Sequence, residues 1–244
     1  MTRILITGGT GCLGRPTVDL LRSAGRDIRV LSRTPGTDHV VADLSTGAGL
    51  ARALDGVDTV LHLATTRKSD ADQTRRLLDA SRAAGVTHFV YISIVGVDAI
   101  PFPYYVDKLK CERLVEESGV PFTILRATQF HDFVAAFLRI KLPVMLALDV
   151  SDQPIAVEEV AARLVELADA APAGRVPDLG GPQQLTLREL AGEWQRAHGT
   201  RKPVWTLWLP GRTIAAFKRG HHMTPLPGYG TRTFAEFAAN DAAK

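Results

Sequence analysis

Residues 1–14 read MTRILITGGTGCLG, and this stretch decides the fold. The run from Arg3 to Thr7 is apolar-rich and of strand length, and it leads directly into Gly8, Gly11 and Gly14. Val18, Leu20, Leu21 and Ala24 then recur at helical spacing, so a helix begins where the glycines end. A strand that delivers glycines into a helix start cradles a dinucleotide pyrophosphate. The first glycine turns the chain, the second admits the phosphates close to the backbone, and the third lets the helix pack on the strand. Main-chain N–H groups at the helix start then face the anion. Gly8, Thr10, Gly11, Cys12, Leu13 and Gly14 are the candidate cofactor-binding residues of this loop, with Cys12 read as a small structural residue within it.

Outward from the loop the rhythm repeats. Residues 28–31, 39–42, 59–64, 87–93 and 122–126 read as further strands, and helical patterns fall at about 50–54, 71–84 and 104–118. Gly25, Gly85 and Gly119 follow helical runs where a C-terminal cap is expected. This alternation predicts an α/β fold, a Rossmann-type doubly wound parallel sheet with right-handed crossovers. After residue 149 the rhythm changes to a helix at 157–169, a strand at 176–180, a helix at 187–197 and an apolar run at 204–209, and all three tryptophans (Trp194, Trp205, Trp208) lie here. The expected division is therefore residues 1–150 as an NAD(P)-binding domain and residues 151–244 as a small C-terminal α/β subregion that carries the substrate pocket within the same compact unit.

The composition fits one large α/β domain: 244 residues, 45% of them hydrophobic, can bury a full core. The net charge of +3 is mild and gives no reason to expect a nucleic-acid partner. Residues 185–232 carry eight Arg and Lys against Glu189 and Glu193, which reads either as a solvated face or as a meeting point for something anionic. Two cysteines make neither a disulfide framework nor a zinc site, and no metal is expected. No apolar run approaches the ~20 residues that span a bilayer, and the first strand starts too early to leave room for a leader. The expectation is a cytoplasmic monomer or homodimer that acts on a small molecule without a membrane partner.

Two sets of residues carry the chemistry. The second strand ends in Leu31, Ser32, Arg33, and no acid occurs from Ile28 to Gly36. An acid there would favour NAD by binding the ribose 2′-hydroxyl, whereas the guanidinium of Arg33 suits the 2′-phosphate, so NADP(H) is preferred over NAD(H). Asp43, followed by Leu44, is placed either to reach the adenine or to cap a helix. Ser93 ends the fifth strand, and Tyr104 and Lys108 follow at a four-residue spacing that puts phenol and ammonium on one helical face. A tyrosine that exchanges protons near neutral pH needs its pKa brought down from ~10, and a neighbouring cation does this. Ser93, Tyr104 and Lys108 are thus the candidate catalytic set; Tyr105 competes for the role at a three-residue spacing.

The GGTGCLG loop, Arg33, Asp43, the HLA at 62–64, YISIVGVD around Ser93, YYVDK and LRATQFHDF from Leu125 together resemble the atypical short-chain dehydrogenase/reductases, in their NmrA-like, NAD(P)H-binding branch. The resemblance covers about residues 3–133. It implies the Rossmann fold, an NADP(H) preference, Ala64 and Thr65 flanking the cofactor, and Ala127, Gln129 and Phe130 near the nicotinamide. Some members of that branch reduce ketones, quinones or double bonds, and others have lost the tyrosine and act as cofactor-sensing regulators. The short C-terminal portion argues against a nucleotide-sugar epimerase.

The expected function is an NADP(H)-dependent oxidoreductase acting on a small carbonyl, quinone or enone. A non-catalytic NADP(H)-sensing regulator and a nicotinamide-retaining isomerase or lyase are the alternatives. Of the histidines, His62 reads as a core residue within an apolar strand, His131 and Asp132 as candidates to face substrate, and the His221–His222 pair lacks a further ligand at metal spacing.

Overall fold

The computed structural model describes residues 2–36, 38–66 and 69–243. Along the chain run β1 (Arg3–Thr7), α1 (Gly14–Ser23), β2 (Asp27–Ser32), β3 (His39–Val41), α2 (Leu50–Leu54), β4 (Thr59–His62) and α3 (Asp70–Ala83). These are followed by β5 (His88–Ile94), α4 (Pro103–Glu117), β6 (Phe122–Ala127), α5 (His131–Leu138), β7 (Met145–Leu148), β8 (Ser151–Asp152) and α6 (Val157–Asp169). The remainder comprises β9 (Gly174–Arg175), β10 (Leu185–Thr186), α7 (Leu187–Ala197), β11 (Val204–Leu207), α8 (Arg212–Lys218) and α9 (Phe234–Ala242).

Two compact units are formed, and neither is continuous in sequence. The first comprises Met1–Ser93, Pro103–Arg126 and Val160–Pro177. Its seven-stranded sheet has the order β3-β2-β1-β4-β5-β6-β9, with β1 paired in parallel to both β2 and β4. The direction of winding therefore reverses at β1 and β4, and in open sheets of this kind the crevice beyond that switch point is where ligands bind. Burial on both faces of the sheet leaves all four residues of β4 buried, Thr59 and His62 as well as Val60 and Leu61. Leu5, Val60, Phe89 and Tyr91 pack with Leu54, Leu77 and Val115 from the helices. Arg126 on β6 is clamped to Glu112 on α4 by two hydrogen bonds of 2.8 and 2.6 Å, with both side chains almost wholly buried.

The second unit comprises Ile94–Phe102, Ala127–Glu159 and Asp178–Lys244. Its core joins Val134 and Ala135 of α5, Met145 of β7, Leu190 and Trp194 of α7, and Phe234 and Ala238 of α9. Helices α7 and α9 both open on capping boxes, Thr186 with Glu189 and Thr233 with Glu236. The strand expected at residues 176–180 is displaced: the sheet gains only β9 at Gly174–Arg175, and Leu179 makes an isolated bridge to Ala127. The apolar run at 204–209 does form a strand, β11, which lies parallel to β7. Of the tryptophans only Trp194 is core, because Trp205 and Trp208 stand 60% and 75% exposed.

Candidate cofactor and active site

The glycine loop leaves β1 at the switch point and closes on itself. Gly8 has a left-handed φ of 70°, and a Cβ on it would lie 2.7 Å from Ala64 N in the loop after β4. A Cβ on Gly14 would lie 2.1 Å from the Gly8 carbonyl oxygen, so α1 reaches the strand only because this residue has no side chain. Helix α1 then starts with no side-chain cap and no acid in its first turn. An uncapped start facing a strand-end loop fits the pyrophosphate of a dinucleotide, since an anion would satisfy the N–H groups there. Thr10, Gly11 and Cys12 are exposed on the loop. Leu13 and Leu44 are buried, which leaves only their main chain to meet a ligand.

At the end of β2, Arg33 is exposed. Asp43, after β3, accepts hydrogen bonds from Ser45 N and Oγ at 2.8 and 2.7 Å, so it caps a turn and not a helix. Those bonds hold its carboxyl below the ordinary value, and the charge of Arg33 acts in the same direction.

The strongest cluster forms at the ends of β4 and β5 and the start of α4. Pro103 is the first residue of α4, which puts Tyr104 and Lys108 in its first two turns, as the spacing predicts. Lys108 is 4% exposed. It donates to Ile92 O at 3.4 Å, faces Asp70 at 3.9 Å, and lies 4.9 Å from the Tyr91 ring centre and 5.9 Å from that of Tyr104. Burial pushes its pKa down, and the Asp70 charge opposes this. Burial likewise raises Asp70, but hydrogen bonds from Thr65 Oγ1 (2.5 Å), Thr66 N (2.7 Å) and Thr66 Oγ1 (3.0 Å), together with Lys108, outweigh it and hold the carboxyl below its usual range. The Tyr104 hydroxyl lies 3.2 Å from Thr65 Oγ1 and is only half-buried, whereas Tyr105 is 3% exposed; access therefore selects Tyr104. Next to Ile92 on β5, Ser93 is 3% exposed, and its Oγ has no hydrogen-bond partner among the described residues. A buried hydroxyl of that kind is costly unless something else satisfies it.

Thr65, Asp70, Tyr104 and Lys108 thus come together, and Asp70 is the member that sequence reasoning missed. At the start of α3 it looks like a helix-dipole acid, and nothing local connects it to a lysine 38 residues on. A second buried chain runs beneath the loop. His62 Nδ1 is 2.7 Å from Thr7 Oγ1, its Nε2 is 3.0 Å from Thr74 Oγ1, and Thr74 donates to Cys111 Sγ at 3.5 Å. His62 is accordingly the core residue that its strand predicts, held neutral with a pKa of about 3 by burial foremost.

The second unit holds the remaining candidates. Ala127 ends β6 and is buried, the Gln129 carbonyl accepts from Ile155 N at 2.9 Å, and Phe130 caps α5. His131 does not face substrate. It is fully buried, its Nε2–H donates to Pro154 O at 3.0 Å, and its ring centre lies 5.7 and 5.1 Å from those of Phe234 and Phe237. Burial holds its pKa at about 4. Among the described residues no group of His, Cys, Asp or Glu is arranged to hold a metal, and no helix is long and apolar enough to cross a membrane. A hollow of about 570 Å³ among Thr2, Arg26, Asp58, His88 and Asp169 opens at the opposite, N-terminal ends of the strands and belongs to neither cluster.

Residues 8–171 match the model of the NAD(P)H-binding family. The (4-alkanoyl-5-oxo-2,5-dihydrofuran-3-yl)methyl phosphate reductase of Streptomyces griseus is 30% identical over 80% of this chain and 74% of its own length. A photosystem II assembly factor, Ycf39 of Trieres chinensis, is 30% identical over 52% of this chain and 46% of its own. The crystal structure of an Escherichia coli NADPH-dependent quinone oxidoreductase with NADPH superposes with a TM-score of 0.84 at 23% identity, covering 97% of this chain and 99% of that one, which is a likeness of fold. The chain belongs to the NAD(P)H-binding family.

Proposed function

We propose that this protein is an NADP(H)-dependent reductase of a small carbonyl, quinone or enone, with Tyr104, Lys108 and Ser93 as its catalytic set. The observation that carries the reading is the buried Lys108 ammonium 5.9 Å from the ring of an accessible tyrosine. A cation beside a phenol favours the tyrosinate, which makes Tyr104 a competent proton donor and acceptor near neutral pH. When bound, the nicotinamide supplies the hydride. Tyr104 passes a proton to the substrate oxygen, and the Ser93 hydroxyl finds in that oxygen the partner it otherwise lacks. Asp70 keeps Lys108 charged and in place.

Gly8, Thr10, Gly11, Cys12, Leu13 and Gly14 would hold the pyrophosphate through main-chain groups, with Ala64 and Thr65 on the other side of the crevice. Arg33 would take the adenosine 2′-phosphate, and Asp43 and Leu44 would border the adenine. Ala127, Gln129 and Phe130 would border the nicotinamide, and residues 151–244 would supply most of the substrate pocket. The reductase from Streptomyces, with a carbonyl-bearing furanone in its name, supports reductive chemistry.

The test follows NADPH absorbance across a panel of quinones, ketones and enones. Tyr104→Phe should lower kcat by about 10²–10⁴-fold with NADPH affinity unchanged; turnover that survives this change overturns the assignment. The relationship to an assembly factor favours one second reading, a protein that binds NADP(H) and signals through a partner. Tight NADPH binding with no turnover on the whole panel would select it.

A further inference from the structure

Of the two two-stranded sheets in the second unit, the one formed by β7 and β11 has one face left uncovered by the described residues. Leu146 on β7 and Trp205 on β11 are register partners, so their side chains leave the sheet on the same side, as do those of Leu148 and Leu207. Met145 and Val204 turn the other way and join the core. The outward face is apolar: Leu146 is 47% exposed and Trp205 60%, and the flanking Ile140, Leu142, Trp208 and Leu209 are exposed as well. Contiguous apolar surface of this kind marks a contact site.

The chain segments that bear it are rich in one sign of charge. From Trp194 to Ala235 the chain contains seven Arg and Lys and no acid, and from Phe133 to Leu148 it contains Arg139 and Lys141 and no acid. Acids outside these stretches offset some of them: Asp149 pairs with Lys218 at 2.6 Å, Glu158 with Arg232 at 3.3 Å, and Asp241 with Arg139. Lys218 also stands 5.1 Å from the Trp208 ring centre, so cation and indole occupy the same edge.

These observations choose between occupants. A second copy would bring the same cations face to face, an arrangement that like-charge repulsion opposes. Strand addition along β11 is hindered as well. The carbonyls of Pro203 and Leu207 face β7, so that of Val204 points to the outer edge, where Arg188 already donates to it at 3.2 Å. Tryptophans and leucines in segments rich in Lys and Arg, with Lys218 beside Trp208, match a lipid surface, with indoles at the headgroup level and cations against anionic lipid.

We propose that this face docks the protein on anionic bilayer surfaces. The expectation of no membrane partner rests on the lack of a spanning segment, and a surface-bound protein needs none. The inference is independent of the catalytic reading.

Flotation of the full chain with phosphatidylcholine vesicles, with and without phosphatidylglycerol, tests it. The protein should float only with the anionic vesicles, with a blue shift in tryptophan emission, and should be released by high salt as the charges are screened. Trp205→Ser with Trp208→Ser should weaken partitioning by about tenfold or more, since bound area sets the apolar contribution. Lys141→Glu and Arg201→Glu should each weaken it by about fivefold or more. Both tryptophans are exposed, so the thermal melt should stay at the wild-type value in their double variant. No flotation, or flotation indifferent to these substitutions, overturns the proposal. A concentration-dependent dimer that the tryptophan variant dissolves overturns it too, in favour of a second copy.

Discussion

Lowering the pH should destabilise this protein through His62, and the hydrogen bonds say how. Thr7 Oγ1 accepts from Leu63 N and Ala64 N at 3.2 Å each, which uses its lone pairs and turns its proton toward His62 Nδ1. Nδ1 is therefore an acceptor, the ring proton sits on Nε2, and Nε2–H donates to Thr74 Oγ1. A second proton on Nδ1 would set donor against donor inside a site that is 2% exposed. Burial first, and the charge of Lys108 second, hold the folded pKa at about 3 against 6.5 for an ordinary histidine. Between those values the unfolded chain binds the extra proton and the folded one does not. The stabilisation is therefore complete above pH ~6.5 and is lost as pH falls toward about 3. From pH ~7 to ~4 the loss is some 2.5 pH units at 1.36 kcal/mol each, about 3 kcal/mol. Urea denaturation of the wild type and His62→Gln at stepped pH measures it. His131, held at about 4, adds a similar loss to both proteins, so the readout is the difference between them. The wild type should be the more stable at neutral pH, and its advantage should shrink by about 3 kcal/mol toward pH ~4. A difference that does not move with pH would refute the neutral, proton-donating His62 derived above.

Three further outcomes are expected. Gly14→Ala puts a Cβ within 2.1 Å of the Gly8 oxygen and should weaken NADPH binding by calorimetry at least about tenfold, because the loop must open to admit it; unchanged affinity would deny the loop its role. Arg33→Ser should weaken NADPH by about 10–100-fold, the value of a charge-assisted bond of about 1.5–3 kcal/mol, and leave NADH unchanged; an equal loss for both would remove 2′-phosphate recognition. Glu112→Ala strands the buried Arg126 guanidinium and should cost about 3–5 kcal/mol in chemical denaturation, whereas Glu112→Leu with Arg126→Leu should recover most of it.

What was legible in the chain was what short-range rules control. The glycine loop, the start of α4 at Pro103 and the shared face of Tyr104 and Lys108 depend on neighbours within a few residues, and each appears where the pattern puts it. Asp70, His131 and the exposed tryptophans depend on partners far along the chain. Asp70 meets Lys108 because two helices lie side by side, a fact absent from either helix's own pattern. His131 follows a strand end, where chemistry is usual, yet Phe234 and Phe237, a hundred residues away, enclose it. The strand at β11 alternates apolar residues on two faces, and local sequence cannot state which face receives a cover. In this unit the core takes Val204 and leaves Trp205 outside. The reading of function divides along the same line. The family and the dinucleotide follow from the local loop, whereas the acid that tunes the lysine and the face that meets a partner exist only once distant segments have packed. Substitutions at Asp70 or Trp205 therefore probe what the fold adds to the sequence, and substitutions at Gly14 or Arg33 probe what the sequence already declared.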